Sequence, residues 1–246
     1  MGKIGIISAM QEEVKALLDE LENITTVVKG KRTYYSGTLF NKEVVIVFSR
    51  WGKVASAATT TQLINDFKLD EIIFTGVAGA INKNLNIGDI VIGKNMYQHD
   101  MDASPLYDQF VIPILKKKFL ETSCSKNLVK ATNSFLKSYT DFINPCDAEN
   151  FQISSPKYIE GDIASGDQFI SSIEKINQLN EILPSAVCVE MEGASVAQVC
   201  FEYEIPFSII RIISDKANDN ATIDFPKFAN SIASNYALGI FKNYFA

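Results

Sequence analysis

The sequence predicts an α/β chain: a three-layer α/β/α sandwich around a central mixed, twisted β-sheet, with residues 1–246 forming one domain. Three observations carry that expectation. Short apolar segments rich in Ile and Val alternate with helical patterns from end to end, as in a sheet covered by helices on both faces. No repeat, linker-like stretch or low-complexity tract divides the chain. Two neighbouring strand-like segments meet around Asn41-Lys42 as a hairpin, which requires an antiparallel pair and makes the sheet mixed.

Lys3 to Ser8 reads as a strand, after which Ser8 and Gln11 fit an S-x-x-Q capping box that opens a helix to about Leu21. The hairpin strands, Arg32 to Leu39 and Glu43 to Ser49, have that first strand as their expected neighbour. Lys53 to Phe67 reads as a helix whose Ala and Thr residues let it lie close to a sheet. Glu71 to Thr75 is a short buried strand, and GVAGA after it reads as a glycine turn, with Gly76 and Gly79 permitting close backbone approach. Gly88 to Gly93 is a further strand. Met96 to Lys118, with Pro105 and Pro113, is irregular and suits a functional loop or a subunit contact. Tyr158 to Ser165, Ala186 to Glu190 and Phe207 to Ser214 are strands, each followed by a helix. In the last helix Asp224 is the expected cap, Pro226 sits in the first turn, and Phe225, Phe228, Ile232, Tyr236 and Ile240 share one face.

Composition narrows the function classes. At 246 residues and 47% apolar content the chain can bury a sizeable core. No apolar run approaches the roughly 20 residues that span a bilayer, and no signal-like segment opens the chain, so a soluble cytoplasmic protein is expected. Acidic residues exceed basic ones, 29 to 23, for a net charge of -6, which argues against nucleic acid as a partner. Cys124, Cys146, Cys188 and Cys200 lack metal-ligand spacing and read as reduced, mostly buried thiols. His99, the sole histidine, rules out any site that needs two imidazoles. Metal catalysis is disfavoured, with only an all-carboxylate magnesium site compatible with the composition.

Three acidic clusters sit at or just beyond strand ends: MQEEV near residue 12, VEMEGA near 190 and ISDKAND near 215. In α/β sheets ligands bind outside the carboxyl ends of strands, so these acids can converge on one small molecule. Glu13, Glu192 and Asp215 are the candidates. Each cluster also has a plainer explanation. Acids in a first helical turn complement the helix dipole, and Asp215 with Asp219 and Asn220 nearby could form an Asx turn or cap. Periodicity leaves open which of Glu12 and Glu13 faces the crevice. Glu190 and Glu192, two apart on an extended segment, share a face and could both reach sugar hydroxyls. Arg211, inside an apolar strand, needs an anion, for which Glu13 or Glu192 is the expected partner. Carboxylates buried together would raise at least one pKa and supply an acid near neutrality. SGDQFI places Phe169 where a flat ring could stack. Neither GxGxxG nor a Walker lysine is present.

In this order, IGIISAMQEEV, SRWGKVASA, TGVAGA, IGDIVI, QHDMDAS, SGDQFI, VEMEGASVA and RIISDKAND resemble the 5'-methylthioadenosine/S-adenosylhomocysteine nucleosidases of the nucleoside phosphorylase/hydrolase superfamily, over nearly the whole chain. The resemblance implies that Glu13 helps activate a water, Glu192 holds ribose hydroxyls and Asp215 protonates adenine N7. It further implies that Phe169 stacks on adenine, the Ile170 backbone reads its edge, Ala78 and Gly79 lie against the substrate and Met191 packs on the ribose. Ser214 and Arg211 would organise the acids. Met10, Trp51 and Phe225 would meet a 5'-alkylthio group, and Ala103, Leu106 and Pro113 would come from the second subunit of a homodimer. No cofactor is implied. Phe74 stands where purine nucleoside phosphorylases place a phosphate-holding arginine, which favours hydrolysis over phosphorolysis. An aminofutalosine-cleaving hydrolase and a non-catalytic binding protein are the remaining alternatives.

Overall fold

The computed structural model describes residues 2–123, 125–218 and 221–246. The expectations for Cys124, Asp219 and Asn220 lie outside these residues. The chain opens with β1 (Lys3–Ser8), a 3-10 turn at Gln11–Glu13 and a short α1 (Lys15–Asp19). The expected helix from Ser8 to Leu21 is therefore broken, and the Ser8–Gln11 capping box does not form. Instead, the Met10 N–H donates to Glu13 Oε2 at 2.9 Å, so the carboxylate that could have continued a helix closes a turn. An outer meander follows: β2 (Glu22–Lys29), β3 (Arg32–Leu39) and β4 (Lys42–Phe48). Phe40 and Asn41 both take positive φ, which suits the tight hairpin between β3 and β4.

Next come α2 (Lys53–Asp66), β5 (Leu69–Ala80), β6 (Ile90–Gln98), β7 (Leu120–Glu121), α3 (Lys126–Lys137) and α4 (Pro145–Asn150). The last part holds β8 (Tyr158–Ser165), α5 (Ile173–Ile182), β9 (Ala186–Glu190), α6 (Gly193–Glu202), β10 (Phe207–Asp215), α7 (Ala221–Phe228) and α8 (Ser234–Tyr244). Two expectations are corrected here. GVAGA is not a turn: it is the second half of β5, a strand of 12 residues. Asp224 does not cap the last helix, because α7 starts at Ala221 and contains Pro226, and a π turn at Ala229–Ala233 joins it to α8.

The sheet is mixed, with order β10-β6-β8-β9-β5-β1-β4-β3-β2 and a further parallel pairing of β10 with β5. That extra seam closes five strands, β5, β10, β6, β8 and β9, into a small barrel-like ring. β1 leaves the ring beside β5 and carries β4, β3 and β2 as an arm. The sheet is mixed as expected, and the length of β5 is what permits closure, since its first half pairs with β1 and its last two residues with β9.

Alternation along the strands sends apolar residues to both faces. Ile4, Ile6, Val44 and Ile46 pack with α1, α3 and α8, whereas Ile7, Val45, Val47, Ile72 and Phe74 pack with α2 and α6. Each such buried side chain contributes about 1.5–3 kcal/mol of transfer free energy, and the two clusters make this a three-layer sandwich. Phe228, Ile232, Tyr236 and Ile240 face the core together as expected, with Phe225 half-buried at the end of the row.

Candidate active site

β1, β5, β9 and β10 bring their carboxyl ends, or residues just beyond them, to one cavity. Its lining includes Glu13, Glu192 and Asp215, three acids that are each almost fully buried. Glu12 is exposed, so the structure resolves which of the two N-terminal glutamates turns inward.

Glu13 is held by three donors. Ser8 Oγ donates to Oε2 at 2.5 Å, the Met10 N–H to Oε2 at 2.9 Å and the Val77 N–H to Oε1 at 3.0 Å. Burial raises its pKa, while Ser8, the charge of Arg211 and the two backbone N–H groups pull it back. Gly76 makes room for this arrangement, because a Cβ there would fall 2.8 Å from Glu13 Oε1.

Asp215 ends β10. Ser214 Oγ donates to Oδ2 and the Ala217 N–H to Oδ1, each at 2.7 Å. Burial pushes its pKa up; these two bonds oppose the shift and the charge of Asp224 adds to it. A Cβ on Gly79 would fall 2.9 Å from Asp215 Oδ1. The two glycines of GVAGA thus admit carboxylates, a use that the sequence reading did not assign to them.

Glu192 lies at the N-cap of α6 and accepts the Gly52 N–H through Oε1 at 2.7 Å. Burial, followed by the charge of Glu190, pushes its pKa up to about 8. Glu190 does different work. It accepts from Ser165 Oγ and from the N–H groups of Glu192 (3.1 Å) and Gly193 (2.8 Å), and it pairs with Arg211 Nη2 at 2.7 Å. The expected pairing of Arg211 with Glu13 or Glu192 is therefore corrected: Glu190 is its partner. Arg211 also stacks on the Phe74 ring, 4.0 Å from the centroid, and it does not line the cavity.

Met10, Trp51, Ala78, Gly79, Phe169, Ile170, Met191, Ser214 and Phe225 all line the cavity. Trp51 and Phe169 each meet Phe225 edge to face, at 5.9 and 5.8 Å, and form an aromatic rim. Ala103, Leu106 and Pro113 do not reach this cavity, and Leu106 is 85% exposed. Gln168, Ala9 and Val189 line it without having been singled out; they carry a sequence signal only through their places in SGDQFI, IGIISAMQEEV and VEMEGASVA. No lysine or arginine is among the lining residues, and Arg50 turns outward, its Nη2 donating to Lys31 O at 2.5 Å. Among the described residues no cluster of three or more His, Cys, Asp or Glu side chains could hold a metal, and no helix is long and apolar enough to cross a membrane.

The family model described as "Phosphorylase superfamily" matches residues 3–246. This chain belongs to the phosphorylase superfamily. Within it, a Staphylococcus aureus protein described as 5'-methylthioadenosine/S-adenosylhomocysteine nucleosidase is 37% identical over 231 residues, 94% of this chain and 93% of its own. A nucleosidase of the same description from Colwellia psychrerythraea, solved in complex with adenine, superposes with a TM-score of 0.86 at 30% identity, covering 99% of this chain and 94% of its own. Futalosine hydrolase of Helicobacter pylori gives 0.82 at 34% identity, over 98% and 97% of the two chains. The superfamily's phosphorylases and nucleosidases differ in what attacks the sugar, and a cavity lined by carboxylates without a cation suits water better than phosphate.

Proposed function

We propose that this superfamily member hydrolyses the N-glycosidic bond of 5'-methylthioadenosine and S-adenosylhomocysteine, releasing adenine and the thioribose product. The single observation that carries the reading is the convergence of Glu13, Glu192 and Asp215 on one cation-free cavity. The similarity to nucleosidases over more than nine-tenths of the chain supports the same substrate class.

Breaking the bond needs an acid on the departing base and a base on the incoming water. Asp215 supplies the proton to adenine N7: burial and the nearby Asp224 charge keep that proton bound toward neutrality. Glu13 takes the proton of the water that attacks the anomeric carbon. Burial raises the Glu13 pKa as well, but its Ser8, Met10 and Val77 donors and the Arg211 charge oppose that rise and favour the ionised form that can accept the proton. The electron pair of the broken C–N bond leaves with the base. Glu192 binds ribose hydroxyls through hydrogen bonds. Phe169 stacks on the base, the Ile170 backbone meets its edge, Met191 packs on the ribose, and Met10, Trp51 and Phe225 surround the 5' group. Ser214 orients Asp215, and Arg211 acts at one remove, through Glu190 and the start of α6.

The same reading makes the protein a cytoplasmic homodimer in which Ala103, Leu106 and Pro113 of one copy close the partner's cavity. The exposure of Leu106 and Ile114 along that segment supports it. Purified protein incubated with methylthioadenosine, with and without phosphate, tests the function. Adenine plus free methylthioribose is the expected result. Sugar 1-phosphate would mean a phosphorylase, and no adenine would point to the futalosine-type substrate or to a binding protein, a choice that an aminofutalosine incubation decides.

A further inference from the structure

The loop from Gly166 to Ile170 brings Phe169 and Ile170 to the cavity, yet Asp167 within it does not line the cavity. Asp167 Oδ1 accepts the Lys53 backbone N–H at 2.7 Å, and the Asp167 N–H donates to Asp100 Oδ2 at 2.9 Å. Asp100 Oδ1 in turn lies 2.6 Å from Lys53 Nζ, which also donates to Gln98 Oε1 at 3.2 Å. One residue earlier, the Gly52 N–H holds Glu192 Oε1 at 2.7 Å. Two consecutive N–H groups at the start of α2 thus grip two carboxylates: one on the sugar side of the cavity, the other at the root of the loop that carries the base-side aromatic.

The fit around this peptide is close. Gly52 has φ +93, and a Cβ there would fall 2.9 Å from Asp167 Oδ1. The His99 imidazole packs under Gly166 and leaves no space for a side chain at that position. Phe169 is 37% exposed, and its ring meets Phe225 edge to face at 5.8 Å.

We propose that Asp167, clamped by Asp100 and Lys53, is a positioning residue that sets the Phe169–Ile170 loop relative to Glu192 and so fixes how base and ribose are presented together. The inference rests on the adenine-nucleoside reading of the cavity. Its physical content is preorganisation: a loop already held in its bound geometry loses less freedom when the ligand arrives.

Asp167→Ala removes the acceptor for the Lys53 N–H, whereas Asp167→Asn keeps a carbonyl oxygen there. Trp51, the chain's only tryptophan, stands two residues before Lys53 against Phe225, so its fluorescence reports added adenine without turnover. For D167A we expect about tenfold weaker adenine binding and a similar rise in KM for methylthioadenosine, with kcat falling less and D167N staying within about threefold of wild type. K53M, which leaves the Asp167 side chain in place, should fall between them. Amide exchange across residues 166–172 should be faster in D167A than in D167N, with no ligand present. Equal impairment of D167A and D167N, or unchanged binding and exchange in D167A, would overturn the proposal. A wild type that neither binds nor releases adenine would instead defeat the reading of the cavity, and the exchange comparison would still decide whether Asp167 holds the loop.

Discussion

Among the described residues, Glu13, Glu192 and Asp215 are held by three, one and two hydrogen bonds, and the unevenness sets what each can do with a proton. Under the proposed roles, Glu13→Gln or Asp215→Asn lowers kcat by about 10²- to 10⁴-fold, measured as adenine release. The wild-type pH profile of kcat/KM is expected to be bell-shaped, falling on the acid side as Glu13 gains a proton and on the alkaline side as Asp215 loses one. Glu192 makes a stability prediction of its own. Its folded-state pKa of about 8 lies above the ordinary glutamate value, so the folded chain binds a proton that the unfolded chain releases. The associated stability is complete below about pH 4, the unfolded glutamate range, and drains away as pH rises through about 8. Urea midpoints at about pH 6 and about pH 9 should therefore differ less in Glu192→Gln than in the wild type, and an unchanged difference would contradict this. The sequence made these acids visible through their position at strand ends, but not their division of labour. Residues two apart share a face only while the backbone stays extended, and Glu192 has already turned, at φ -132 and ψ -36, into the cap of α6. That turn separates Glu190, bound to Arg211, from Glu192, bound to Gly52.

At the level of elements, β5 shows where local pattern misleads. Two glycines within five residues resemble a turn, yet the strand runs on through them because carboxylates from the 3-10 turn after β1 and from the end of β10 occupy the space that side chains would take. Gly76→Ala should drive Glu13 off its Val77 N–H. We expect a fall in kcat on the order of 10²-fold from the displaced carboxylate, together with a destabilisation of about 1–3 kcal/mol, read by steady-state kinetics and urea unfolding. Wild-type turnover in that variant would mean that Glu13 moves freely and is not the positioned base. Other elements were hidden for different reasons. All eight residues of β2 are exposed, so no inward face marks it as a strand. The spacing of Leu128, Ala131 and Phe135 identifies α3 only once Thr132, also buried, is accepted on its inner face. Pro226 reads as a helix start, but it lies inside α7, with the π turn a few residues beyond it. By contrast, α2, β3, β8 and β9 lie close to where alternation and flanking residues put them.

The whole molecule joins a closed ring to an arm, and layer pattern alone could not distinguish that from an open sheet, since both bury strands between helices. If residues 1–246 are one domain, urea should unfold them in a single transition that fluorescence and circular dichroism report together; two separated transitions would divide the chain. The dimer reading predicts that Leu106→Asp lowers both the mass seen by light scattering and the activity. Closure of the ring also affects the three acids unequally. Asp215 ends β10 and Glu192 follows β9, strands inside the ring, and Phe169 follows β8, while Glu13 follows β1, which carries the arm. Mild denaturant that loosens the outer meander would therefore reach the water-activating group before the grip on the purine. Labelled adenine in equilibrium dialysis would still be retained at urea concentrations where hydrolysis has stopped, so capture of the base would outlive turnover.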